Sequence, residues 1–263
     1  MTLNVMVMVK QVIDPDIQIS GLNLDQETLT VSASSTSPSV VNGYDEQAVE
    51  AALRLKDLQD THITAISIGA KFAMDVIKKP LSMGCDELVL LQDPLFENLD
   101  SFGVAQLLAT AISNLGHFDL ILGGRQASDW DNAQVPSGVS EILSIPCITM
   151  AKDVKVFQSK VIVERVIPDG SETVETDLPS VVIVSNELGK PRFPTITNIM
   201  AAARKTPKIV TAQDLDFRSY EPQVKITDLY IPVIDKDCEF IESEDEGDLG
   251  RKLALTLREA KLI

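Results

Sequence analysis

The 263-residue sequence is short of the residues that most protein-based chemistry relies on: it has three cysteines, two histidines and one tryptophan. Cys85, Cys147 and Cys238 lie far apart and form no CxxC pair. That spacing argues against a disulfide framework, a zinc site or an iron–sulfur cluster and leaves buried or incidental thiols. His62 and His117 have no neighbour at metal-ligand spacing, so a histidine metal site or a Ser-His-Asp triad is hard to assemble. Long apolar runs are missing too. Runs such as 88–91 and 181–184 are only a few residues long, far below the roughly 20 residues a membrane span needs. Met1 is not followed by a charged segment, an apolar stretch and a small-residue cleavage site, so the expectation is a cytoplasmic chain with no membrane insertion. Neither a GxGxxG after the first apolar run nor a P-loop Lys-Ser/Thr element is present, which disfavours a standard dinucleotide or NTPase site. Basic residues are scarce: 23 Lys and Arg face 39 Asp and Glu, a net charge of -16. Such a surface repels nucleic acid and anionic lipid and points to protein partners or small ligands held by local dipoles.

What is present is a regular alternation. Apolar runs at 4–9, 63–68, 88–91, 120–122 and 181–184 suit strands buried on both faces. Helical patterns fill 45–58, 72–83, 102–114 and 134–143, although Pro80 should kink or end the second. In the first, Ala48, Ala51, Ala52 and Leu55 share one face, while Glu50 and Arg54 stand four apart on another. Alternating strands and helices predict an α/β fold with a doubly wound, mostly parallel sheet. From Asp153 the rhythm becomes a β-hairpin, with Val161, Val163 and Val166 against Thr173 and Val174 and a turn at Asp169-Gly170. It is inserted before a final strand at 180–185. An earlier hairpin is expected at 17–22 and 28–31. After Pro207 the chain is charged and proline-rich, with an acidic run at 242–248 and a helix at 249–262. The predicted organisation is an α/β domain over 1–207 and an extended C-terminal arm over 208–263.

The richest segment is 120–143, LILGGRQASDWDNAQVPSGVSEIL, where a buried strand meets a Gly-Gly turn, a polar loop and a helix start. Open α/β sheets bind ligands at such places. Gly123 and Gly124 allow backbone to approach a ligand, and the amides of 134–138 would favour phosphate at a helix N-terminus. The same spacing fits a plain strand-to-helix loop capped by Asp131 or Asn132.

This segment resembles the adenine-nucleotide loop of electron transfer flavoprotein beta subunits. So do VMVMVKQVID (5–14), NGYDEQAVEAALRLK (42–56) and SIGAK (67–71). VERVIPDGSETVETDLPSVVIVS (163–185) is similar to the family's signature, and NELGKPRFPTITNIMAAARK (186–205) to its recognition loop and following helix. The resemblance covers nearly the whole chain and implies an adenine-nucleotide alpha hydrolase-like version of the fold. It places nucleotide contacts at Met8, Asn42, Gly43, Tyr44, Asp45 and Ile68. It continues them through Gly124, Arg125, Gln126, Ala127, Ser128, Asp129, Trp130, Asp131, Asn132, Ala133, Gln134 and Val135. Leu188 matches the leucine that family members insert into a partner dehydrogenase; without the resemblance it reads as a loop residue packing on its own domain.

The implied function is that of an electron carrier. An alpha subunit forms a heterodimer with this chain and holds most of an FAD, and electrons pass between a dehydrogenase, such as an acyl-CoA dehydrogenase, and a membrane-linked or soluble redox acceptor. The beta site holds AMP or, in a bifurcating NADH-oxidising type, a second FAD. GRQA (124–127) and AQV (133–135) look like the second type, and PRFPTITNIM (191–200) resembles the simple carriers. Gly43 stands where many relatives have proline, Trp130 enters a loop that is normally small or acidic, and Pro136-Ser137 replaces a glycine-containing pair. A third reading, a stand-alone adenine-nucleotide-binding α/β domain, rests on Gly123-Gly124 alone.

Overall fold

A computed structural model describes residues 2–18, 21–33, 39–232, 238–243 and 245–263. The chain opens with β1 (Leu3–Met8), β2 (Gln11–Ile13), β3 (Leu22–Asp25), β4 (Thr30–Ala33), β5 (Ser39–Val41), α1 (Gly43–Leu58) and β6 (Thr61–Gly69). It continues through α2 (Met74–Ile77), α3 (Lys79–Met83), β7 (Glu87–Gln92), α4 (Ser101–Leu115), β8 (Leu120–Gly124) and α5 (Val135–Leu143). There follow β9 (Cys147–Phe157), β10 (Lys160–Ile167), β11 (Gly170–Asp177), β12 (Ser180–Val184), α6 (Ile196–Arg204), β13 (Lys208–Val210) and α7 (Glu246–Glu259).

A nine-stranded sheet in the order β11-β10-β9-β12-β8-β1-β6-β7-β13 organises the first unit. Its pairs are parallel except β9–β10 and β10–β11. Successive strand residues point to opposite faces, and the apolar runs divide accordingly into two cores. On one face Val5, Val7, Ile63, Leu90, Leu120 and Leu122 pack with Ala48, Ala51, Ala52 and Leu55 of α1. On the other, Met6, Met8, Ile66, Leu91, Ile121 and Val181 pack with Leu107, Leu108 and Ile112 of α4 and Val139 of α5. Helices therefore cover both faces, and strands without a polar side are the sequence requirement for that arrangement.

Several expectations shift. The helix expected over 72–83 is two short ones meeting at Lys78, because Pro80, which cannot donate within a helix, opens α3 instead. The early hairpin moves to β3 and β4, where Asp25 turns the chain by accepting from the Glu27 and Thr28 amides; residues 19–20 of the expected strand lie outside the described residues. The strand at 180–185 is not the last, since β13 adds beyond β7 as a parallel edge. Glu50 and Arg54 pair as their spacing implies, at 3.1 Å, with Glu50 buried. The hairpin β10–β11 pairs as expected, with Val163 opposite Val174, and β12 then returns between β8 and β9.

The compact units are 1–228 and 229–263, so the segment after β13 packs with the first of them. The reason is local. After β13 the chain is fastened to the N-cap of α4, where Asp100 accepts from the Tyr220 hydroxyl at 2.7 Å and the Gln223 and Val224 amides at 2.6 and 3.1 Å. The Tyr220 ring lies where a Gly103 side chain would be, 2.7 Å from an added Cβ. In the second unit, Asp245 caps α7 and Asp248 gathers Ser243, Arg251 and Lys252. The acidic run thus starts the helix, which begins earlier than the 249 expected.

Gly103→Ala should displace the Tyr220 ring and cost about 1–3 kcal/mol. Limited proteolysis is expected to show faster cleavage at 218–228 in that variant, with the sheet itself retained in far-ultraviolet circular dichroism.

Candidate functional site

The order of strands reverses at β1. From there the chain builds outward through β6 and β7, then returns to lay β8 along the other flank of β1. The connections through α1 and α4 lie on opposite faces. Loops leaving β1 and β8 therefore part, and a crevice opens at their carboxyl ends, the place where open α/β sheets hold ligands. Register puts Met8 beside Gly123 on one side and Ile66 on the other, with Ile68 two residues further along the same strand, near the end of β6.

Asp45, in the first turn of α1, ties the crevice together. Its carboxylate accepts the Lys10 amide at 2.8 Å and the Gly124 amide at 3.2 Å, joining the ends of both strands to the helix. Burial pushes its pKa up to about 7, although hydrogen bonds from Asn42, Lys10 and Gly124 and the Lys10 charge pull the other way. Asn42 is fully buried. It donates Nδ2 to the Gln126 carbonyl at 2.8 Å and accepts the Ser128 amide at 3.2 Å, so its side chain holds the β8 loop and does not cap α1. Gly43 is exposed and Tyr44 half-buried beside it.

Only glycine fits at position 124. An added Cβ would strike the Asp45 carboxylate and come within 2.6 Å of the Tyr44 carbonyl carbon. Beyond it, Arg125 donates its amide to the Val184 carbonyl at 2.9 Å and Nε to Gln126, whose own amide nitrogen donates to Asp131 at 2.7 Å. Lys10 pairs with Asp129 at 2.7 Å. Asp131 and Ala133 both take left-handed backbone, φ 51 and 54, which costs a residue with a Cβ about 1–2 kcal/mol. Trp130 is 47% exposed.

The cap expected from Asp131 or Asn132 is not made. Asp131 is engaged by Gln126, and Asn132 donates to the Ser101 hydroxyl at 3.3 Å. Gln134 occupies the cap position of α5 without a side-chain bond, and Pro136 stands in the first turn. The first-turn amides near Val135 thus have no side-chain acceptor, a polarity suited to phosphate. Ser128 adds a buried Oγ without a hydrogen-bond partner. An uncapped helix start and an orphaned hydroxyl at the strand ends together fit a phosphate group.

The structure gathers Met8, Asn42, Asp45 and the 124–135 loop, with Ile68 at the margin. Lys10 was not singled out in the sequence; its one signal is a lone cation directly after a buried apolar strand. Leu188, matched by resemblance to the leucine of the recognition loop, is packed inward in this chain. It is 5% exposed and belongs to the core that α1 covers, because a short helical turn at 186–188 folds it inward. The exposed apolar residues of its segment are Phe193 and Ile196, at 93% and 79%. Among the described residues no helix is long and apolar enough to cross a membrane.

An acid whose folded pKa is raised favours folding most at low pH, and that contribution is lost as pH rises through the folded value. Wild type is therefore expected to lose stability relative to Asp45→Asn between about pH 4 and 7, by up to about 1.4 kcal/mol per pH unit. Urea midpoints of both proteins across that range measure the difference.

Residues 30–215 match the electron transfer flavoprotein domain. An electron transfer flavoprotein subunit beta from Thermoanaerobacterium thermosaccharolyticum is 35% identical over 224 residues, covering 85% of this chain and 84% of its own. One from Megasphaera elsdenii is 37% identical over 210 residues, or 77% and 76% of the two chains. The caffeyl-CoA reductase-Etf complex subunit CarD of Acetobacterium woodii is 32% identical over 239 residues, 85% of this chain and 89% of that one. Since the match spans most of the nine-stranded unit and these relatives align over most of their own length, the chain belongs to the electron transfer flavoprotein family, as a beta subunit.

Proposed function

We propose that this beta subunit joins an alpha subunit to carry electrons between a dehydrogenase of the acyl-CoA type and a membrane-linked or soluble redox acceptor. Its own crevice holds an adenine nucleotide. The observation that carries this reading is the switch-point crevice, at which α5 begins uncapped beside the unpartnered Ser128 hydroxyl. FAD, held mainly by the alpha subunit, supplies the redox chemistry when bound. This chain's residues bind and orient. Asp45 and Asn42 fix the two loops, the α5 amides and the Ser128 hydroxyl receive the nucleotide phosphate, and Trp130 offers an aromatic face at the rim.

Partner contact falls to the segment similar to the family's recognition loop, where Phe193 and Ile196 are the exposed apolar residues nearest Leu188. Large apolar side chains exposed within one short segment are a common mark of a protein-binding surface. The name of the Acetobacterium relative, a caffeyl-CoA reductase-Etf complex subunit, supports a partner that handles CoA esters. The second unit, 229–263, is read as the arm that grips the alpha subunit: Leu253 and Leu255 of α7, with Tyr230, Ile231 and Phe240, are exposed.

The heterodimer, co-expressed and then denatured, is expected to release FAD and AMP in equal amounts. Two FAD per heterodimer with no AMP would support the NADH-oxidising bifurcating type, to which GRQA and AQV in the loop are similar. Flavin bound stoichiometrically by this chain alone, with no affinity for an alpha subunit, would overturn the proposal. Removal of 229–263 should weaken heterodimer formation by at least about tenfold in Kd; unchanged assembly in analytical ultracentrifugation would reject the arm's role.

A further inference from the structure

Glu50 of α1 stands apart from the crevice, 5% exposed. Four donors converge on it. Arg192 supplies its backbone amide at 3.0 Å, Nε at 2.9 Å and Nη2 at 3.3 Å, and Arg54 supplies Nε at 3.1 Å. The Arg192 fork also reaches Asp57, at 2.6 and 3.3 Å. Burial alone would raise the pKa of Glu50, but the hydrogen bonds from Arg192 and Arg54 outweigh it and hold the carboxyl below its usual value.

Arg192 sits in the middle of a segment with little core of its own. On its N-terminal side Leu188 is plugged into the core, followed by Gly189 at φ 101. On its C-terminal side Lys205 donates to the Asp86 carbonyl at 2.7 Å and Lys78 to the Ala203 carbonyl at 3.1 Å. Between these ends Phe193, Ile196, Ile199 and Met200 face outward, and in α6 only Ala202 is buried. An apolar plug fixes where such a loop starts but not the path of its backbone. A carboxylate that takes both the main-chain amide and the guanidinium of one residue fixes both.

We infer that Glu50 is a positioning residue for partner docking: acting through Arg192, it holds residues 189–195 so that Phe193 and Ile196 meet the partner in one conformation. Holding the loop before contact removes an ordering cost from association. The inference rests on the docking role proposed for this segment, and its test separates the two.

The full heterodimer carrying Glu50→Gln is compared with wild type, with an acyl-CoA dehydrogenase and its acyl-CoA as the electron source. Hydrogen exchange across 190–195 is expected to quicken by about tenfold or more. KM for the heterodimer should rise about tenfold, while kcat and nucleotide content stay within about twofold of wild type. Ile196→Ala, which alters the docking surface directly, should raise KM without changing exchange at Arg192. If Ile196→Ala raises KM and Glu50→Gln does not, or if exchange at 190–195 is unaltered in Glu50→Gln, the role of Glu50 is overturned. If neither variant changes KM, the docking reading fails with it. Should Glu50→Gln not assemble, Arg192→Gln, altering the more exposed partner, carries the same expectations and the same grounds for rejection.

Discussion

The contact between Asp45 and the amides of Lys10 and Gly124 is the constraint on which the rest of the site depends. A parallel sheet by itself leaves its strand ends unconnected, since each chain segment departs in its own direction after the last ladder bond. Here one carboxylate from the first turn of a helix bridges two such departures. Gly124 is obligatory because the helix must come this close, and Asn42 can reach the far loop because α1 is held there. Burial of the carboxyl, which raises its pKa to about 7, is the cost of placing it between strand and helix. A sheet face, a helix start and a loop are thereby made rigid with respect to one another before any ligand arrives.

Outside that joint the molecule follows a second principle, in which long side chains anchor backbone that has no core beneath it. Tyr220 and Asp100 fasten the chain after β13, and Arg192 and Glu50 fasten the loop before α6. Both use a single carboxylate to collect several donors from a distant segment. The second segment displays apolar surface and the first leads toward the second unit, so the regions proposed to meet partners adjoin these anchors.

Much of this was legible in the sequence. Strands buried on both faces announce themselves as unbroken apolar runs, and helices between them as a 3.6-residue period, so the doubly wound sheet and the position of its ligand loop follow from 4–9, 63–68 and 120–143 alone. Contacts between segments far apart in the chain were not legible. Glu50 and Arg54 are spaced like a surface ion pair, yet the principal partner of Glu50 lies 142 residues away. Leu188 has the composition of an exposed loop and is pulled inward by a turn that no local propensity marks. A strand of three residues, β13, is too short for any period to show. The uncapped start of α5 likewise emerged only once Asp131 and Asn132 were seen to be engaged elsewhere.

The margins of the sheet carry a consequence for how the protein behaves in a crowded solution. One margin is β13, which offers three residues of unpaired backbone, and the other is β11, which bears Glu172, Glu175 and Asp177. Short or charged margins are poor templates for a further strand. Joining by backbone, the route to strand-on-strand aggregation, is thus discouraged at both margins of the nine-stranded sheet. A subunit that must wait for its companion with apolar residues uncovered can remain unpaired without adding copies of itself edge to edge.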